Sequence, residues 1–177
     1  SYLAGSALVD GAVGAMLRSS PQAIVLASQT AGAAAFIQRY RARNGSAQLV
    51  GLSLVEGGHL AKIIGQQAAH GVGVVEVAPN TLNESVPLVR EFRAAWRKYG
   101  PADVEPSQAM MEAYVSGRVL IEGLRRAGGN RTRLAAALAG IDKLDLGGLS
   151  VSFTGNRRNG VEIGELAIID RNGRLIR

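Results

Sequence analysis

The stretch PQAIVLASQTAGAAAFIQRYRARNGSAQLVGLSLVEGG, residues 21–58, states one pattern and begins to repeat it. Ala23-Ile24-Val25-Leu26-Ala27 is a short continuous apolar run, the signature of a parallel strand covered on both faces. Ser28-Gln29-Thr30 leads from it into a helix that runs from about Ala31 to Arg43 and stops at Asn44-Gly45. Gln48-Leu49-Val50-Gly51-Leu52 is the next strand and Ser53 to Gly58 the next loop. His59 to Ala69 then carries Leu60, Ile63 and Ile64 on one side, as a helix would.

Upstream, Ser6 to Ser19 has Val9, Val13, Met16 and Leu17 at helical spacing, closed by Ser19-Ser20-Pro21. Downstream, Gly73 to Val77 is a third strand ending at Ala78-Pro79. Helices follow over Val86 to Tyr99, Gln108 to Ala127 and Thr132 to Ala139, the first two stopped by Gly100-Pro101 and Gly128-Gly129. Leu149 to Phe153 alternates as a strand, and a polar turn spans Gly155 to Gly160. Glu165 to Asp170 is expected to pair with Arg174-Leu175-Ile176 through a type I′ turn at Asn172-Gly173. Strand and helix alternating over short connections predict an α/β fold: a three-layer αβα, doubly wound, mainly parallel sheet with a C-terminal β-hairpin.

Composition narrows the chemistry. The 177 residues, 47% of them hydrophobic, suffice for one domain with a proper core. The formal charge is +6, but the arginines are spread over nearly every helix and turn, which predicts a solvated basic surface and no nucleic-acid partner. Without cysteine there is no disulfide, thiolate metal site or thiol nucleophile. No run approaches the roughly 18 apolar residues of a membrane span, and residues 1–20 lack the pattern of a signal peptide. The abrupt start at Ser1-Tyr2-Leu3 reads as the end of a strand or a loop, as in a fragment.

Catalytic templates fail. His59 and His70 stand eleven apart without metal-ligand spacing, and Gly51-Leu52-Ser53-Leu54-Val55 lacks the second glycine of a nucleophile elbow. Gly71-Val72-Gly73 precedes a strand where a dinucleotide fingerprint would follow one, and no P-loop occurs. No catalytic residue, metal or cofactor is expected.

The order of elements is similar to that of the type I periplasmic solute-binding proteins, the Leu/Ile/Val-binding family of ABC-transporter receptors. The resemblance rests on Pro21 to Leu26 leading to a helix that ends Gln38 to Ala42, on Gly65 to Val72 before a strand, and on Pro87 to Phe92 with Tyr99-Gly100. Glu112 to Arg118, Ala127-Gly128 and Leu146 to Leu149 continue it. It implies two α/β lobes closing on a ligand about a hinge with three crossovers, of which this chain is the C-terminal half. By the same resemblance residues 1–106 are most of the second lobe, 107–145 a helical segment that packs on the first lobe, and 146–177 the terminal strands and hairpin. Met111, Tyr114, Val115 and Val119 then lack cover, so the fragment is expected to self-associate through its 107–127 helix.

In open α/β sheets ligands sit beyond the carboxyl ends of the strands. Two loops qualify. Ser28, Gln29 and Thr30 offer two hydroxyls and an amide, although Ser28 or Thr30 can equally serve as a helix N-cap. Ser53, Leu54 and Glu56 follow the second strand. The resemblance implies that the Ser53 position faces the cleft and is an acid in some amino-acid binders. Serine stands here, which leads away from a simple branched-chain amino acid. Glu56 is close enough to substitute, or else complements the helix dipole. Ala78 to Thr81, with Glu112 or Tyr114, are candidates for a hinge or cleft role, and Tyr114 for a core one.

The implied function is a periplasmic receptor of an ABC importer, with an amino acid or related small carboxylate as ligand and a membrane permease as partner. A ligand-sensing effector domain of a receptor or transcription regulator shares the fold, and an enzyme of doubly wound fold is disfavoured by the shortage of His, Cys and clustered acids.

Overall fold

The computed structural model of the chain describes residues 7–155, 157, 159–162 and 164–177. Tyr2-Leu3, Ser6 at the expected helix start, and Asn156 and Arg158 of the polar turn lie outside the described residues. The elements in chain order are α1 (Asp10–Ser19), β1 (Ala23–Leu26), α2 (Thr30–Ala42), β2 (Gln48–Gly51), α3 (Gly57–Ile64), α4 (Gln66–Ala69) and β3 (Gly73–Glu76). Then come α5 (Pro87–Tyr99), α6 (Gln108–Arg126), a 3-10 turn (Arg131–Arg133), α7 (Leu134–Ala139), β4 (Leu144–Asp145), β5 (Ser150–Val151), β6 (Glu165–Ile169) and β7 (Leu175–Ile176).

The described residues form two compact units, one running up to Glu76 and resuming over Glu165–Arg177, the other within Val77–Gly164. In the first, β1, β2 and β3 are parallel, and β6 and β7 extend the sheet antiparallel in the order β1-β2-β3-β6-β7. Register places Ile24, Leu26, Leu49, Gly51, Val74, Ala167 and Ile169 on one face. Ile24, Leu26, Leu49 and Ile169 join Val13 of α1, Phe36 and Ile37 of α2 and Leu60 of α3 in one buried core. Each such side chain contributes about 1.5–3 kcal/mol on burial.

The opposite face differs from expectation. Val25, at 64% exposed, and Leu166, Ile168 and Ile176 are open on that face, so among the described residues β1 buries the side chains of one face, Ile24 and Leu26. A continuous apolar run does not distinguish the two cases, because Val25 keeps its apolar character whether or not anything lies over it.

Two local expectations also change. The helix read over His59 to Ala69 breaks at Gly65, whose φ of 83° takes it out of helical geometry between α3 and α4. The terminal hairpin forms, but not through a type I′ turn: in that loop Gly173 has a positive φ (75°) and Asn172 does not. Gly173 N–H donates to Asp170 O (3.1 Å) and Asp170 N–H to Arg174 O (2.8 Å). This is a three-residue loop, a type I turn closed by a left-handed glycine.

In the second unit, Leu88, Val89 and Phe92 of α5 share a buried core with Met111, Val115 and Val119 of α6 and with Ile141, Leu149 and Val151. Ser107 begins α6 as a true N-cap, its Oγ accepting from Met110 N–H at 3.3 Å. Met111, Val115 and Val119, expected bare, are therefore covered from within their own unit, and Tyr114 is half-buried against the ring of Phe92 with centroids 5.4 Å apart. The large apolar residues that α6 leaves exposed are Leu120, Ile121 and Leu124.

Candidate solute-binding loops

Parallel register sets Leu26 beside Gly51, so the loops after β1 and β2 leave the same edge of the sheet. Gly51 shapes the second loop. A Cβ there would stand 2.8 Å from Cβ of Val55, which is fully buried against the strand end. Val55 N–H donates to Leu52 O (2.9 Å), closing a tight turn that leaves Leu52 and Leu54 exposed and Ser53 and Glu56 half-buried.

Thr30 joins the two loops. Its Oγ1 accepts from Glu56 N–H at 3.0 Å and donates to Leu54 O at 3.4 Å, while Leu52 N–H donates to Leu26 O at 3.3 Å. One hydroxyl thus engages the second loop at two backbone groups, and Thr30, Leu54 and Glu56 lie in direct contact. Ser28 is buried, and its Oγ donates to Gln29 O at 2.7 Å. Gln29 is exposed and is the N-cap residue of α2, and no side chain caps that helix. The capping alternative for Ser28 and Thr30 is therefore not what their hydroxyls do. Glu56 is the N-cap residue of α3, again without a side-chain cap bond.

The first-turn amides of α2 have no intrahelical acceptor and face the same edge. The residues 27–30 and 52–58 carry one ionisable side chain, the carboxylate of Glu56, among hydroxyls and an amide. Such a rim presents groups that hydrogen-bond to small polar molecules. Among the described residues no group of three or more His, Asp or Glu is placed to hold a metal, and no helix is long and apolar enough to cross a membrane.

The other candidates fall in the second unit. Asn80 Oδ1 accepts from Leu82 N–H (2.9 Å) in a local turn, and Thr81 is buried with its carbonyl accepting from Arg93 Nη1 (3.2 Å). Gln108, which sequence reasoning passed over, donates from Nε2 to Ala78 O (2.6 Å) and to Pro79 O (3.3 Å). Only its place one residue after the N-cap Ser107 could have signalled this. Tyr114 contributes to a local ion pair: Arg118 beside Glu91 holds that carboxyl below its ordinary range against the opposing effect of burial, with the smallest contribution from the Tyr114 hydroxyl.

The loops after β1 and β2 are thus joined side by side at the carboxyl end of the parallel strands. The periplasmic binding protein model matches residues 2–174, and the chain belongs to that family. The family is one of binding proteins, not of enzymes. A substrate-binding periplasmic protein from Ralstonia solanacearum is 38% identical, with a TM-score of 0.85 over 97% of this chain and 49% of its own. An extracellular ligand-binding receptor from Verminephrobacter eiseniae ef01-2 is 25% identical (TM-score 0.81, 94% of this chain, 48% of its own). A possible leucine/isoleucine/valine-binding protein from Rhodopirellula baltica SH 1 is 24% identical (TM-score 0.86, 99% and 48%), a likeness of fold. The chain spans about half the length of these solved structures. No curated protein sequence matches it.

Proposed function

We propose that the loops at Ser28 to Thr30 and Ser53 to Glu56 form one wall of a solute cleft in an extracytoplasmic, two-lobed receptor that serves an ABC importer. The observation that carries this is the Thr30 bridge, which fixes two strand-end loops into one hydrogen-bonding rim. The ligand is an amino acid or related small carboxylate: amides at the start of α2 suit its carboxylate, and Glu56 suits an ammonium group. With serine at position 53, Glu56 is the acid available to these loops, and it stands three residues further along. Binding proceeds by lobe closure, with protein hydrogen bonds replacing the ligand's water, and the loaded receptor is read by a membrane permease.

The test is a thermal-shift screen of the two-lobed receptor containing this chain, against amino acids and aliphatic and aromatic carboxylates. A true ligand at a hundredfold excess over its Kd stabilises by about 2.7 kcal/mol. Absence of any shift across the panel would count against the proposal. The chain alone, holding one wall, is expected to show little or no shift and to self-associate through the exposed Leu120, Ile121 and Leu124 of α6.

A further inference from the structure

The chain leaves the first unit after Glu76 and re-enters it at Glu165. These two residues are direct partners in the antiparallel β3–β6 pair, so two carboxylates stand opposite each other on one face where the backbone passes between units. Like charges so placed repel and would splay the strand ends. Glu76 is also buried, its side chain 3% exposed, so its charge needs a partner. Arg177 supplies it. Following β7, the neighbour of β6, its guanidinium donates through Nε to Glu76 Oε2 at 2.9 Å and through Nη2 to the same oxygen, and Nε lies 3.7 Å from Glu165 Oε2.

We infer that Arg177 is a positioning residue that clasps the departing and returning chain crossings together, so that they act as one hinge element. The inference rests on the two-lobed reading for its importance to ligand closure, but the clasp itself is measurable without any solute. Loss of Arg177 leaves a buried, unpaired Glu76 opposite Glu165, and the two crossings separate and move independently.

The chain has no cysteine, so spin labels can be placed at will. In the solute-free chain, a pair across the units, Lys62→Cys with Ala94→Cys, is compared with a pair inside the first unit, Arg18→Cys with Lys62→Cys; all three positions are exposed. Arg177→Ala is expected to broaden the cross-unit distance distribution about twofold while leaving the internal pair unchanged, as freed hinge strands would. Arg177→Lys, which keeps the charge but loses the fork, should fold and broaden it to an intermediate degree, and carries the test if the alanine variant does not fold. An unchanged cross-unit distribution in the variants that fold would overturn the clasp, and so would equal broadening of both pairs, which would mark Arg177 as a general stabiliser of the sheet. A failed solute screen would leave this result standing, and a failed clasp would leave solute binding intact.

Discussion

Thr30 does with one hydroxyl what neither loop does alone, accepting from Glu56 N–H and donating to Leu54 O. Thr30→Val should therefore cost about 1–2 kcal/mol, leaving a partly buried amide unsatisfied, while Thr30→Ser should cost less. Urea denaturation of the three proteins measures this. Gly51→Ala forces a Cβ to within 2.8 Å of Val55 and is expected to cost about 1–3 kcal/mol by overpacking, in the same assay. Glu91 gives the pH dependence. Its folded pKa lies below its unfolded one, chiefly through the hydrogen bond from Arg118, so the pair stabilises the fold above the unfolded value and that contribution disappears as pH falls through the folded one. Because Glu91 is half exposed, the effect is under about 1 kcal/mol. The stability gap between wild type and Glu91→Gln should thus be present at neutral pH and gone in strong acid. The six candidate residues were legible as strand-end loops because polar, hydroxyl-bearing residues interrupt apolar runs; the threonine bridge between them was not, since it joins residues 24 and 26 positions apart.

At the scale of elements, β1 to β3, α2, α5 and α6 were legible because their apolar spacing is set by burial on at least one side. What the pattern misses is the partner. The row Met111, Val115 and Val119 declares a buried face without saying what buries it, and here it is α5 with the strands of the same unit. Met111→Ala is accordingly expected to cost about 2–5 kcal/mol, whereas Ile121→Ala on the exposed side should stay within about 0.5 kcal/mol. Local backbone geometry was equally hidden. Leu60, Ile64 and Ala69 keep an apolar rhythm across Gly65, so periodicity alone does not reveal the break at that glycine. At the hairpin, Asp170 Oδ1 accepts from the N–H groups of Asn172 and Arg174, both at 2.8 Å, and these hold its carboxyl below the ordinary range while organising a loop one residue longer than expected. Gly173→Ala must adopt a left-handed φ and meet Ala61 Cβ at 3.2 Å; a loss of about 1–2 kcal/mol in thermal unfolding is expected.

At the scale of the whole molecule, the charge of +6 and the scattered arginines said little, while the order of strands and helices identified the family. What remained illegible is the surface left open: the face of the sheet carrying Val25, Leu166 and Ile168, and the Leu120, Ile121 and Leu124 row of α6. For the chain alone, sedimentation should detect dimers or larger species, and Leu120→Lys with Ile121→Lys should return it to monomer; a monomeric wild type would remove the proposed α6 association. Once the screen has found a ligand, calorimetric titration of the two-lobed receptor should give an affinity lowered at least about tenfold by Thr30→Val, the loss of one well-placed polar group, and unaltered by Glu122→Gln on α6 of the second unit. Equal affinity in the wild type and Thr30→Val would contradict the assignment of these loops as the binding wall.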